Sequence, residues 1–241
     1  MTKALIIFDF NHTMIDCNTL YEQCRLAFSK EETEKIKKMD REISFEYTIR
    51  FFYDKLKENK KTIKDINNYI DTIKLSKGFK ELIQYLNNYK DKYELIIVSS
   101  DIDYPIKRIL NNENLLDCFN AFLGLKSELC EDNLIKFKPL EKCGCKNCEP
   151  NGCKSFLVKE YIKNFGNEKK YKNLIFVCDG FNDYCLGYDL KENDILMPRI
   201  NFELYKRLYE KGDYKNLKCK IFSWKDGYNI LEYLKKIMFK K

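Results

Sequence analysis

The pattern of this chain predicts an α/β fold built on a parallel sheet, and three observations carry that expectation. Short apolar runs ending in polar or turn residues recur along the sequence. Stretches of ten or so residues with helical periodicity separate them. The alternation breaks once, where nearly sixty residues with helix signals alone follow the first apolar run. Parallel strands need a crossover connection, so strands alternating with helices of this length imply βαβ units.

The strand-like runs fall at 4–8, 94–98, 174–178 and 219–222, with a weaker one at 194–197. Helical periodicity fills 78–89, 103–112, 153–164, 202–211 and 226–238. In the interruption, residues 18–74, Leu20, Cys24, Ala27 and Phe28 recur at helical spacing, followed by Phe45, Ile49, Phe52 and Leu56. A third amphipathic stretch runs from Asp65 and Ile66 to Ile73. Such an insertion reads as a lid over the carboxyl end of the sheet, or as helices packed on one of its faces. Neither an internal repeat nor a low-complexity linker is present.

The chain has 241 residues, enough for one sizeable domain or a core with one insertion, and its 44% hydrophobic content suffices for a packed core. The formal charge of +7 is spread over small lysine clusters that read as solvated helix faces, so neither a nucleic-acid partner nor a membrane is expected. The apolar stretch 4–8 is broken by Asp9, too early for a signal peptide, and no run approaches the length of a membrane span. A soluble, cytoplasmic protein is expected, and the oligomeric state stays open. Eleven cysteines do not fit a small disulfide-stapled fold of this length. Cys17, Cys24, Cys118, Cys178, Cys185 and Cys219 stand singly and read as reduced thiols. Cys143, Cys145, Cys148 and Cys153 cluster, and are either zinc ligands or plain thiols around a tight loop.

The chemistry sits at the strand ends. The run Leu5-Ile6-Ile7-Phe8 delivers Asp9 to a carboxyl end, followed by Asn11 and Thr13. The run Ile175-Phe176-Val177-Cys178 delivers Asp179, followed by Gly180, Phe181, Asn182 and Asp183. Three carboxylates at strand ends of one sheet make an all-oxygen site suited to Mg²⁺, which takes one or two carboxylates together with phosphate oxygens.

The order Asp9-x-Asn11-x-Thr13, Ser99-Ser100-Asp101, Lys154 and Asp179-Gly180-Phe181-Asn182-Asp183 resembles the haloacid-dehalogenase superfamily of phosphotransferases. Within it, Leu75-Ser76-Lys77-Gly78, the stretch from Cys145 through Cys148 to Cys153-Lys154, Tyr184-Cys185 and Met197-Pro198-Arg199 are similar to the phosphoethanolamine/phosphocholine phosphatase family. The resemblance spans nearly the whole chain. It implies a Rossmann-like core formed by 1–16 and 76–241, a small helical cap formed by 17–75, and Mg²⁺-dependent hydrolysis of a small phosphomonoester. Asp9 would be the nucleophile that forms an aspartyl-phosphate. Asp9, the Asn11 carbonyl, Asp179 and Asp183 would hold the metal, with Asp183 direct or through water, unless Asp183 instead caps the following helix. Ser99 or Ser100 would donate to the phosphoryl group: strand counting favours Ser99, and the family habit of Ser followed directly by Asp favours Ser100. Lys154 would neutralise charge, and Asp101, Gly180 and Asn182 would line the substrate site.

Two departures stand out. The family carries Asp two residues after the nucleophile as general acid and base, and here that residue is Asn11. A carboxamide orients a leaving oxygen but cannot shuttle a proton near neutral pH, a loss of about 10²–10⁴ in rate. Whether natural or a trapping substitution, Asn11 favours holding a phosphate ester over turning it over, so a catalytically impaired binder is the alternative reading. His12, the single histidine, is expected to point away from it. Second, Thr19-Leu20-Tyr21 lacks the acids that face substrate in the family, leaving Asp101, Asp103 or Asp16 to meet any cationic head group.

Overall fold

The computed structural model describes residues 3–42, 45–129, 135–138, 143, 145, 152–165 and 171–238. Its centre is a six-stranded sheet: β1 (Lys3–Phe8), β2 (Tyr93–Ile102), β3 (Ala121–Leu125), β6 (Tyr171–Cys178), β7 (Ile195–Pro198) and β8 (Lys220–Ile221). The strands lie side by side in the order β3-β2-β1-β6-β7-β8, and every pair is parallel. A separate antiparallel hairpin, β4 (Ser127–Leu129) with β5 (Ile135–Phe137), follows β3.

Burial on both faces explains why β1 reads as an unbroken apolar run rather than an alternating one. Ile6 and Phe8 enter one hydrophobic layer, shared with Phe79 and Leu82 of α5 (Phe79–Asn88), Ile106 of α6 (Asp103–Asn112) and Ile230 of α10 (Gly227–Met238). Leu5 and Ile7 enter the other, with Val158 of α7 (Lys154–Phe165), Leu186 of α8 (Tyr184–Asp189) and Leu204 of α9 (Glu203–Glu210). All four β1 side chains are fully buried, each worth about 1.5–3 kcal/mol relative to exposure. Where α5 and α10 begin, Gly78 holds φ +80, and a Cβ on Gly227 would stand 2.4 Å from the Gly78 carbonyl carbon. Only glycine permits that approach.

The described residues of the insertion after β1 form four helices joined by turns: α1 (Thr19–Cys24), α2 (Lys30–Glu42), α3 (Phe45–Glu58) and α4 (Ile63–Ile70). The local sequence sets these starts. The Asn18 side chain accepts from the Tyr21 amide, and Thr62 and Asp65 form a reciprocal capping box. Ser29 and Glu32 exchange equivalent bonds ahead of α2. The two ends of the insertion meet at an antiparallel bridge between Ile15 and Leu75, and the Ser76 amide donates to the Met14 carbonyl at 2.8 Å. Leu20, Cys24, Ile49, Phe52, Ile66 and Ile70 are buried in the same layer as Ile6 and Phe8, so the helices continue the core. The Arg108 guanidinium of α6 forks onto the Asp71 carboxylate at 2.7 and 2.6 Å, holding the end of α4.

Three features differ from the sequence expectation. Strand β2 continues past residue 98 through Ser99 and Asp101, because their backbone keeps strand geometry to Ile102 beside β3. The run at 219–222 supplies a strand of two residues only. Strand β3 and the β4–β5 hairpin carry no strong periodic signal: Gly124 interrupts β3, where a Cβ would meet the Ser99 carbonyl oxygen at 2.3 Å. Among the described residues no helix is long and apolar enough to cross a membrane.

Candidate active site

Strand order reverses at β1. From β1 the chain proceeds outward through β2 and β3, then returns to β6 on the other side of β1 and proceeds outward through β7 and β8. Ligands of open α/β sheets bind in the crevice at such a switch point, beyond the carboxyl ends of the strands. Asp9 follows Phe8 of β1 and Asp179 follows Cys178 of β6, and the register Phe8↔Val177 sets the two strand ends side by side. The Asp9 amide donates to the Val177 carbonyl at 2.9 Å, locking the nucleophile candidate to its neighbour strand.

The carboxylates of Asp9, Asp179 and Asp183 are all buried, and one oxygen of each lies within 4.8 Å of the others. Lys154, the first residue of α7, is only 1% exposed and bridges two of them: its Nζ stands 2.7 Å from Asp9 Oδ1 and 2.6 Å from Asp183 Oδ1. A surface lysine at a helix start is thereby excluded. Burial alone would push the Lys154 ammonium down, but the Asp183 and Asp9 carboxylates outweigh it and hold its pKa well above the usual value. Asp183 does not cap α8. Its other oxygen accepts from the Gly180 amide at 2.7 Å and the Asp179 amide at 3.2 Å, which folds the 179–183 turn around it. Thr13 donates its hydroxyl to Asp179 at 2.9 Å.

Three carboxylates against one ammonium leave a formal charge of −2 in a buried pocket. Burial, and then the neighbouring Asp9 and Asp183 charges, push the Asp179 carboxyl well above the ordinary range, and burial raises Asp183 as well. The donor set, its convergence and its surplus of two negative charges all fit a small hard dication such as Mg²⁺.

The other sequence candidates divide. Ser99 is buried within β2, and its hydroxyl oxygen accepts from the Asp101 amide at 3.2 Å. Ser100 is half-buried and its hydroxyl oxygen accepts from Asn182 Nδ2 at 3.1 Å, tying β2 to the turn after β6. Gly180 contributes its amide to Asp183. Asp101 is buried and faces inward: it accepts from Asn11 Nδ2 at 3.0 Å, from the Thr19 hydroxyl and from the Ile102 amide. Asn11 Oδ1 in turn accepts from the Thr19 amide at 3.1 Å. The start of α1 is therefore tied to Asn11 and Asp101 near the carboxyl ends of β1 and β2. Asp103 is engaged by Lys107 and Ser127, and Asp16 by Arg199 and Ser76. All three carboxylates expected to meet a cationic head group already have protein partners.

His12 sits in the turn that follows β1. Its backbone is left-handed, φ 57, and its ring centroid lies 6.1 Å from that of Phe202. Burial pushes its imidazole pKa down. Arg199, which ends the Met197-Pro198-Arg199 motif, donates to the His12 carbonyl and to Asp16, both at 2.5 Å, with its guanidinium over Phe202 and Trp224. Sequence reasoning assigned Arg199 no role; structurally it clamps the loop that carries Asn11. Thr13, named in the motif without a role, and Thr19, the first residue of α1, gain their roles only from partners 166 and 82 residues away. Of the clustered cysteines, Cys148 lies outside the described residues.

Comparison with known proteins bears on this geometry. The model of a family described as "Putative Phosphatase" matches residues 4–238. The chain is 26% identical over 243 residues to the pyridoxal phosphate phosphatase PHOSPHO2 of Bos taurus, covering 96% of this chain and 97% of that protein. It is 22% identical over 239 residues to the phosphoethanolamine/phosphocholine phosphatase of Homo sapiens, covering 98% and 90%. Among solved structures, a substrate-bound phosphoserine phosphatase superposes with a TM-score of 0.62 at 20% identity, covering 97% of this chain and 99% of that one. A phospho-aspartyl intermediate analogue of phosphoserine phosphatase gives 0.60 at 19%. At these identities the structural likeness establishes the fold: a Rossmann-like sheet of the haloacid-dehalogenase type.

Proposed function

The chain belongs to this phosphatase family of the haloacid-dehalogenase superfamily, and from that premise we propose that it is a Mg²⁺-dependent hydrolase of small phosphomonoesters that works through an aspartyl-phosphate on Asp9. The single observation that carries the reading is the buried trio Asp9, Asp179 and Asp183 bridged by Lys154. That trio, with the Asn11 carbonyl as a further ligand, would hold the metal, whose positive charge would let a carboxylate approach a phosphate anion.

The protein's own groups do the rest. The Asp9 carboxylate forms the new P–O bond as the ester P–O bond breaks. Lys154, 2.7 Å from Asp9 Oδ1, offsets charge on the phosphoryl oxygens. Ser99, buried beside the end of β1, donates its hydroxyl to one of those oxygens, while Ser100 and Asn182 hold β2 and the turn after β6 in register. Asn11 orients the leaving oxygen with the Nδ2 hydrogen not given to Asp101, but it cannot transfer a proton. Leaving-group departure and attack of water on the aspartyl-phosphate are therefore both slow, and good leaving groups are favoured. Residues 17–75 form the cap that closes over the site and chooses the ester. The relatives' names put pyridoxal phosphate, phosphoethanolamine and phosphocholine on the substrate panel.

A second reading, a phosphate-ester binder with little turnover, draws on the same Asn11, whose side chain is committed to Asp101 and Thr19. One experiment separates the two. With Mg²⁺ and an aryl phosphate, the phosphatase reading expects a burst of aryl alcohol, an acid-stable, hydroxylamine-labile phosphate on the protein, and slow steady turnover. Burst, label and turnover all vanish in Asp9→Asn. Binding of the ester with neither burst nor label leaves the binder.

A further inference from the structure

We propose that Cys145, Cys153 and Cys185 hold a zinc ion in a thiolate site separate from the carboxylate centre. Their sulfurs lie within 4.8 Å of one another, with Cys153 and Cys185 buried and Cys145 half-buried. Cys153 Sγ and Cys185 Sγ stand 3.9 Å apart. Ligands at the zinc–sulfur distance of about 2.3 Å on a tetrahedron are about 3.8 Å from each other. A disulfide would need about 2.05 Å. The spacing therefore matches two ligands of one tetrahedral ion.

Donor chemistry points the same way. Among the described residues the cluster offers three soft sulfurs and no carboxylate, a set that selects zinc over the hard cations. The carboxylate trio offers oxygens alone and selects the reverse. The Phe156 amide, in the first turn of α7, donates to Cys153 Sγ at 3.5 Å, a contact that favours thiolate at that position. Cys185 is the member that sequence spacing does not reveal. It stands in α8 after the 179–183 turn, 32 residues from Cys153. Cys143 is described and is not one of the three.

Binding needs no oxidant. Each thiol releases one proton to solvent as its S–Zn bond forms, so three protons leave per ion bound, and water or a further thiolate completes the tetrahedron. The ion's place in the fold gives it a role. Cys153 immediately precedes Lys154, and Cys185 follows Asp183 by two residues. Zinc would staple the two backbones that carry the Lys154–Asp183 ion pair, fixing the shoulder of the catalytic crevice from outside it.

The test is metal analysis of the full chain expressed in zinc-supplemented medium and purified in Mg²⁺ buffer without chelator. About one zinc per chain is expected, with X-ray absorption showing three or four sulfur scatterers near 2.3 Å. Replacement by Co²⁺ should give sulfur-to-metal charge-transfer absorption. Cys145→Ser, Cys153→Ser and Cys185→Ser should each lose most of the zinc, whereas Cys118→Ser should keep it. Zinc-free protein with no cobalt–sulfur band, two or fewer sulfur scatterers, or full zinc in a folded Cys185→Ser chain overturns the assignment. The spectra of the unmodified chain decide the matter even where a variant fails to fold. None of these readouts depends on phosphatase activity, so the two proposals stand or fall separately.

Discussion

Asn11 Nδ2 donates to Asp101 Oδ2 across 3.0 Å, joining the residue two past the nucleophile to a buried carboxylate ninety positions further along the chain. With an amide at position 11 the pairing needs no shared proton. Asp101 already lies where burial pushes its carboxyl pKa up, and the Thr19 and Asn11 hydrogen bonds offset part of that rise. A carboxylate at position 11 would face another across the same gap.

Asn11→Asp is therefore expected to do two things. It returns a proton-transfer group beside the reacting phosphate, and turnover of alkyl esters should rise by about 10²–10⁴. It also creates a pair of close carboxyls that retain a proton between them, which shifts the acid group upward and moves the alkaline limb of the rate profile with it. Adding Asp101→Asn should bring that limb back down. Unchanged alkyl-ester turnover in Asn11→Asp would show that some other group already supplies the proton.

Asp179→Asn removes one of the three converging carboxylates and leaves Thr13 with an amide in place of its anionic acceptor. The expected result is weakened Mg²⁺ binding by titration calorimetry and loss of activity that added Mg²⁺ does not restore. Equal Mg²⁺ affinity in the variant would move the metal away from this trio. In the unmodified chain, chelation should abolish turnover and lower the melting temperature, since the bound ion stabilises only the folded state.

Lys154→Met deletes a buried ammonium while keeping its volume, stranding Asp9 and Asp183 without their shared partner. Breaking a buried pair in this way costs about 3–5 kcal/mol. Denaturant titration should find a loss of that order in chelator and a smaller one in Mg²⁺, where the dication carries part of the compensation. An equal loss in both would mean that Lys154 and the metal do not share the same charges.

Much of this site was legible in the sequence because strand ends advertise themselves. A run such as Ile175-Phe176-Val177-Cys178 can end only where a polar residue leaves the sheet, so Asp9 and Asp179 fall at carboxyl ends by the same logic that places the strands. What stayed hidden depends on contacts between distant positions. Nothing near Thr19 in the sequence indicates that it reaches Asp101, and nothing near Cys185 indicates the thiols of Cys145 and Cys153. The β4–β5 hairpin was missed for a different reason. Its strands have three residues each, too few for a two-residue period to register.

A polar cluster far from the crevice gives a prediction about alkaline pH. Glu94, buried in β2, accepts from the Tyr161 hydroxyl of α7 at 2.8 Å and from the Tyr171 hydroxyl of β6 at 2.5 Å, tying a helix and two strands together. Burial, and then the Glu94 carboxylate, hold both phenols well above their ordinary range. Their folded-state pKa values are thus raised above the unfolded value of about 10. Stability from this cluster is fully present below that value and is lost as pH rises from there toward the folded values. Unfolding free energy measured by denaturant should fall above about pH 10. Tyr171→Phe should remove one donor from a buried carboxylate at a cost of about 1–3 kcal/mol at pH 7, and should flatten the alkaline decline. A Tyr171→Phe chain that loses stability above pH 10 as steeply as the parent would place the responsible groups elsewhere.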